Sequence, residues 1–193
     1  MKQLKMCWIV PEEPVQVNVP PGYSIEHYQG EQDKAAWCSC CRDGRLIDET
    51  KGTVVFDEKI FVFPEIDAFR DVLFLKYQGR AVGTVTAFVR SDGDGDVHMV
   101  GISPEFRGKG LSGCLIRAAE RKLQLDGVKR VVLTTDEFRK SAVKCYLSQG
   151  FLPVDYDTDM KDRWRAMLNE LNIDRVPMLD ETMTRTTILY GKN

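Results

Sequence analysis

The segment Gly101-Ile-Ser-Pro-Glu-Phe-Arg-Gly-Lys-Gly-Leu-Ser-Gly113 concentrates the residue types that hold an anion. Gly108 and Gly110 let a phosphate approach the main chain closely, and Arg107 and Lys109 add formal charge beside them. An apolar-periodic run begins at Leu111, so this stretch opens a helix. The first amides of a helix have no intrahelical acceptor, and the aligned peptide dipoles add partial positive charge at that end. Arg107, Gly108, Lys109, Gly110, Leu111, Ser112 and Gly113 therefore form the candidate pyrophosphate site, entered through Gly101 and Ile102 at the end of the preceding strand. His98 lies on the strand that enters it, and an ordinary pKa of about 6.5 suits an imidazole to proton removal at neutral pH. Strict strand alternation puts His98, Val100 and Ile102 on one face, with Asp96 on the same face.

Other chemistry-bearing residues fit their apparent motifs poorly. Gly108-x-Gly110-x-x-Gly113 matches the dinucleotide fingerprint, with Asp136 near the end of the next strand. That turn should be tight, yet the five residues 103–107 separate strand from first glycine. A Walker A loop needs Ser or Thr after its Lys, and Gly110 stands there. Asp92-Gly-Asp94-Gly-Asp96 begins like a calcium loop, but positions 6 and 12 hold Val97 and Ser103. It reads as a solvated hairpin loop. The six cysteines include a Cys38-x-Cys40-Cys41 cluster without a second Cys/His pair at zinc spacing, so no metal site is expected. Cys114 and Cys145 read as packing thiols.

The elements that must position these residues follow from periodicity. Residues 4–10 and 23–28 alternate as strands, with a Pro-rich connector over 11–21, and 31–42 has helical spacing. The region 43–69 resists assignment beyond one short helix, since Pro64 breaks any long one. Strands at 72–77, 81–89 and 97–102 form an antiparallel meander. A helix over 108–126, a strand at 131–135, a helix over 138–149 and a strand at 151–156 follow, then a helix over 162–171 and a strand at 186–190. Strand–helix–strand across 97–135 requires a parallel pair with a right-handed crossover. The fold class is α+β: a mixed sheet in which the meander is followed by a parallel pair with flanking helices.

The chain has 193 residues, 43% apolar and 29% charged, with a net charge of −2. Such a chain buries one core of ordinary size, and the composition excludes disordered and fibrous classes. Near-neutral charge argues against a general nucleic-acid partner. The apolar run at 6–10 is too short for a signal core or a membrane span, so no membrane partner and a cytoplasmic location are expected.

The run Ile102-x-Pro104-x-x-Arg107-Gly108-Lys109-Gly110-Leu111-Ser112 resembles the acyl-CoA loop of the GNAT superfamily of N-acetyltransferases. Its pattern is Gln/Arg-x-x-Gly-x-Gly/Ala after an antiparallel meander, and Ser112 departs from it in the last slot. Downstream, Ser141-Ala-Val-Lys-Cys-Tyr146-Leu-Ser-Gln-Gly150-Phe151 resembles the family's Ala-x-x-x-Tyr-x-x-x-Gly-Phe segment. An Asn often stands seven residues before that Tyr, and this chain has Arg139. The stretch 134–139 with Arg163-Trp164 looks similar to mycothiol-synthase-like members.

The resemblance implies a single domain over 1–193, with acceptor-side segments at 1–70, an acetyl-CoA-binding core at 71–157 and a C-terminal helix and strand at 158–193. It implies acetyl-CoA as co-substrate and a small-molecule or peptide amine as acceptor. The two parallel strands would splay, with pantetheine between 101–102 and 131–135, and Arg139 would join the cofactor-binding residues. By the match, Tyr146 reaches the CoA sulfur and protonates the departing thiolate, while His98 or a water takes the amine proton. The acidic residues Asp136, Glu137, Asp155, Asp157 and Asp159 form either a lure for a cationic amine or a solvated rim. The helix at 162–171, with Trp164 and Met167, packs these residues into the core by default, or covers the acceptor side or a homodimer surface. A non-catalytic acyl-CoA-binding module and a nicotinamide-dinucleotide-binding enzyme remain alternatives.

Overall fold

The computed structural model describes residues 2–42 and 46–191, which fall into two compact units. The larger unit, 10–129, is built on four strands in the order β2 (Tyr23–His27), β3 (Val72–Tyr77), β4 (Arg80–Val89) and β5 (Gly95–Ile102). Each pairs antiparallel with the next, which is the expected meander extended by one strand. The β4–β5 hairpin loop is residues 90–94, in which the Asp94 amide donates to the Asp92 carboxylate at 3.1 Å; Gly95 and Asp96, expected in the loop, already pair with β4 as the start of β5.

Two longer helices and two short ones dress this sheet. In α1 (Gln32–Cys41), Trp37, Cys40 and Cys41 are fully buried. Beyond it, where one short helix is expected, the chain forms a 3₁₀ turn at Glu49–Lys51 and two short helices, α2 (Val54–Ile60) and α3 (Ala68–Asp71). Part of the unassigned region, residues 43–45, lies outside the described residues. Trp37, Val55, Phe56, Ile60, Ile66, Val72, Phe74 and Phe88 make one apolar cluster that fastens these short pieces to the meander. In α4 (Leu111–Leu125), Leu111, Leu115, Ala119 and Leu123 recur at helical spacing and are buried. Asp71, the last residue of α3, ties α4 to the start of β3. Its buried carboxylate takes Arg70 Nε and Nη2, both at 2.9 Å, and Lys122 Nζ from α4 at 2.7 Å. Burial alone would push its pKa up, but Arg70 and Lys122 together hold it below the usual carboxylate value.

The smaller unit, 2–9 and 130–191, places β1 (Leu4–Ile9) between β6 (Arg130–Thr135) and β7 (Leu152–Pro153), antiparallel to both. Helix α5 (Lys140–Ser148) joins β6 to β7. The expected strand at 151–156 shortens to two residues plus a parallel bridge from Val154 to Leu179. After α6 (Met160–Glu170), strand β8 (Arg175–Leu179) pairs with β9 (Thr186–Tyr190) as a hairpin. Among the described residues no helix is long and apolar enough to cross a membrane.

Candidate active site

The last residues of β5 and the start of α4 are joined by an exposed loop that includes a 3₁₀ turn at Pro104–Phe106. That turn supplies the separation between strand and first glycine that sets this loop apart from a tight dinucleotide turn. Gly108 and Gly110 both sit at φ +75°, and a Cβ on either would point into open space. This left-handed backbone is what delays α4 to Leu111, three residues later than the apolar spacing predicts. Among the described residues the amides of Gly108, Lys109, Gly110, Leu111 and Ser112 have no acceptor, whereas the Gly113 amide donates to the Gly110 carbonyl at 3.2 Å. Five consecutive N–H groups without an acceptor at a helix N-terminus, two of them on glycines with open space where a Cβ would stand, form an anion cradle.

The two flanking cations do different work from the one their charge predicts. Arg107 Nε donates to the Ile102 carbonyl at 2.9 Å, and its Nη2 donates to the Arg42 carbonyl beyond α1. Its guanidinium braces the loop. The Lys109 ammonium lies 4.6 Å over the Phe106 ring, a cation–π contact. Phe106 itself packs on Tyr77, with ring centroids 5.9 Å apart. Neither Phe106 nor Arg42 is marked by residue type, and only the contacts reveal them.

On β5 the expected alternation fails. Gly101 stands opposite Thr84 and His98 opposite Thr86, so Met99 and Val100 together face Val85. This is a β-bulge, and Met99 takes φ +52° to make it. Cross-strand partners share a face, so His98 lies with Asp96 and Gly101. Ile102, paired with Gly83, lies on the other face, contrary to the grouping of His98, Val100 and Ile102. Gly101 is buried against α1, where a Cβ would stand 2.7 Å from the Cys40 carbonyl oxygen. Ser103 Oγ donates to Cys40 Sγ at 3.8 Å on the same helix. Burial pushes the Cys40 thiol up to about 12, consistent with a packing role.

His98 is half-buried. Its Nε2 lies 3.0 Å from the Lys59 carbonyl, an acceptor, so Nε2 carries the proton and Nδ1 keeps the lone pair. The Phe63 ring meets it edge to face at 5.1 Å. Burial pushes its pKa below the ordinary value, with the Lys59 carbonyl acting partly against that. It is therefore neutral at pH 7.

In the smaller unit, Tyr146 lies on the buried face of α5, and burial raises its phenol to about 12. The end of α5 is a Schellman cap. The Gly150 amide donates to the Leu147 carbonyl and the Phe151 amide to the Tyr146 carbonyl, both at 3.1 Å. Gly150 takes φ +94°, and the Tyr146 and Phe151 rings meet at 6.0 Å. The spacing Tyr-x-x-x-Gly-Phe is thus the geometry of a helix stop with its hydrophobic clasp. Arg139 precedes α5 half-buried, and its carbonyl accepts the Ala142 and Val143 amides. The acidic residues nearby are paired within this unit: Asp157 with Lys2, Glu137 and Asp159 with Arg163, Asp155 with Lys161, and Asp136 with the Gln3 amide. They form a compensated rim.

Comparison with known proteins agrees with this geometry. The chain is 28% identical over 139 residues to a mycothiol acetyltransferase of Thermomonospora curvata, covering 70% of this chain and 46% of that protein. It is 28% identical over 167 residues to the mycothiol acetyltransferase of Streptomyces scabiei, covering 79% and 49%. It therefore spans about half the length of these curated relatives. A GCN5-related N-acetyltransferase from Sphaerobacter thermophilus superposes with a TM-score of 0.57 at 19% identity, over 79% of this chain and 49% of that one, which shows the shared fold. The model described as the acetyltransferase (GNAT) family matches residues 6–151, a span holding the amide cradle, the bulged strand and the capped helix of Tyr146. On that extent of agreement, the chain belongs to the GNAT acetyltransferase family.

Proposed function

We propose that this chain moves an acetyl group from acetyl-CoA to a primary amine of a small molecule or peptide, directly, with both substrates bound at once. The observation that carries the reading is the cradle: five unpaired amides from Gly108 to Ser112, with open space above Gly108 and Gly110. Its size and dipole suit the pyrophosphate of CoA. Ile102 and Gly101 continue the same edge toward the bulge. The family match and relatives bearing the name mycothiol acetyltransferase support the same chemistry.

The reaction needs three things of the chain. The amine nitrogen attacks the thioester carbonyl carbon, the C–N bond forms, and the C–S bond breaks. The amine proton passes to His98 Nδ1 directly or through a water, an atom left free because Nε2 is committed to Lys59. The departing CoA thiolate takes the phenolic proton of Tyr146, which burial keeps protonated at every physiological pH.

Titration calorimetry with acetyl-CoA, followed by CoA release against an amine panel, tests this. Saturable binding below about 1 mM is expected. Tyr146→Phe should retain that binding while kcat falls about 100-fold, the usual scale of a lost proton donor. A correctly folded chain that gives no heat with millimolar acetyl-CoA would refute the reading. Binding without turnover would favour a non-catalytic module.

A further inference from the structure

At the end of α2 the chain exposes three consecutive apolar residues. Phe61 is 52% exposed, Val62 63% and Phe63 37%. Three exposed apolar side chains in a row on a folded surface are more than the single scattered ones that need no explanation. These side chains are held in place rather than trailing in solvent. Phe61 packs edge to face on Phe56 at 5.7 Å, and Phe63 packs on Phe88 at 5.3 Å. The patch also touches the candidate base, because Phe63 meets His98 at 5.1 Å. Asp96, on the face of β5 that carries His98, stands opposite Phe88 in the ladder. Phe63 thus lies against His98 and against the cross-strand partner of Asp96. The nearest cation of α1 is already neutralised: Lys34 reaches Asp57 at 2.7 Å and Glu31 at 2.8 Å, and its ammonium lies 5.6 Å from the Phe56 ring.

We propose that Phe61, Val62 and Phe63 form the apolar half of the acceptor site, so that the acceptor is a primary amine with an aromatic or branched aliphatic group within a few bonds of its nitrogen. The inference rests on the transferase reading above and adds the acceptor class to it. The amine is received on the His98 side, and its apolar group lies on the lip; the Asp96 carboxylate on that face already pairs with Arg90 at 3.7 Å. Continuity between lip and base makes the acceptor itself the occupant. A polyhydroxylated amine would leave the lip wet and lose that contribution.

The test compares phenethylamine with ethanolamine, which offer the same aminoethyl group with phenyl or hydroxyl at the end. With the full chain and saturating acetyl-CoA, kcat/KM for CoA release should be at least tenfold higher for phenethylamine. Val62→Asp changes an exposed side chain that the fold does not need. It should raise KM for phenethylamine at least fivefold, collapse the phenethylamine-to-ethanolamine ratio of kcat/KM, and leave acetyl-CoA affinity unchanged. Equal or reversed preference, or a Val62→Asp variant with the wild-type ratio, overturns the proposal. If neither amine turns over, phenethylamine is titrated directly against the CoA-loaded protein. Binding that Val62→Asp abolishes sustains the apolar site, and absence of binding overturns it. The separate acetyl-CoA titration shows whether the donor-site reading has failed instead.

Discussion

Gly110 holds φ +75° at the mouth of α4 with nothing above it, so replacing it has two separable effects. Gly110→Ala should cost about 1–2 kcal/mol in stability, the strain of an L-residue in left-handed backbone. It should also weaken acetyl-CoA binding by more than tenfold, because in the proposed donor site the methyl group would stand where the phosphates approach. Denaturant melts and calorimetry on the same variant separate the two. His98 makes a pH prediction. Its folded pKa lies below the unfolded value of about 6.5, so the unfolded chain binds the extra proton first. The stability that neutral His98 contributes is present above pH ~6.5 and is lost as pH falls toward the folded pKa. Melting curves between pH 7 and 5 should therefore be less acid-sensitive in His98→Gln, which keeps a donor for the Lys59 carbonyl. Residue types alone placed the cradle, because unpaired amides are a property of where glycines stand before a helix. They did not show that Arg107 is spent on two carbonyls, since a guanidinium's partners depend on which chain ends the fold brings near.

At the scale of elements, the Schellman cap of α5 fixes which face of the helix is buried, and with it where Tyr146 points. Gly150→Ala places a methyl group at ordinary contact distance from Trp8, 3.5 Å, so its cost is conformational. A loss of about 1 kcal/mol is expected, or roughly 2–4 °C in Tm for a chain of this size. A circular dichroism melt measures it. The meander, α4 and α5 were legible because their period is unambiguous over many residues. Three features were not. Pro177 inside Arg175–Leu179 hid β8, since proline argues against a strand that in fact lies in a two-stranded hairpin. The helices at Val54–Ile60 and Ala68–Asp71 are too short to show a period and owe their order to tertiary packing. The bulge at Met99 and Val100 leaves no mark in composition, yet it moves His98 to the opposite face from Ile102.

For the molecule as a whole, Glu120 is a stored weakness. Its side chain is fully buried on α4 with Arg117 at 2.7 Å, and Oε1 has no partner. Burial lifts its pKa to about 7 despite Arg117. A carboxyl raised above its unfolded value loses stability as pH rises from about 4.5 to 7, because the native state must give up a proton it prefers to keep. Glu120→Gln should therefore melt higher than wild type at pH 8, on the order of 2 kcal/mol, with the advantage vanishing near pH 4.5. The brace made by Arg107 has a consequence at this scale too. The molecule carries a net charge of −2 and spends its best-placed guanidinium on its own carbonyls, so in the proposed donor site the diphosphate would be received mainly by neutral dipoles. Counterions screen formal charges far more than short amide contacts. Donor affinity should accordingly change less than threefold between 50 mM and 500 mM potassium chloride, a tolerance of brine that a lysine-and-arginine clamp would not have.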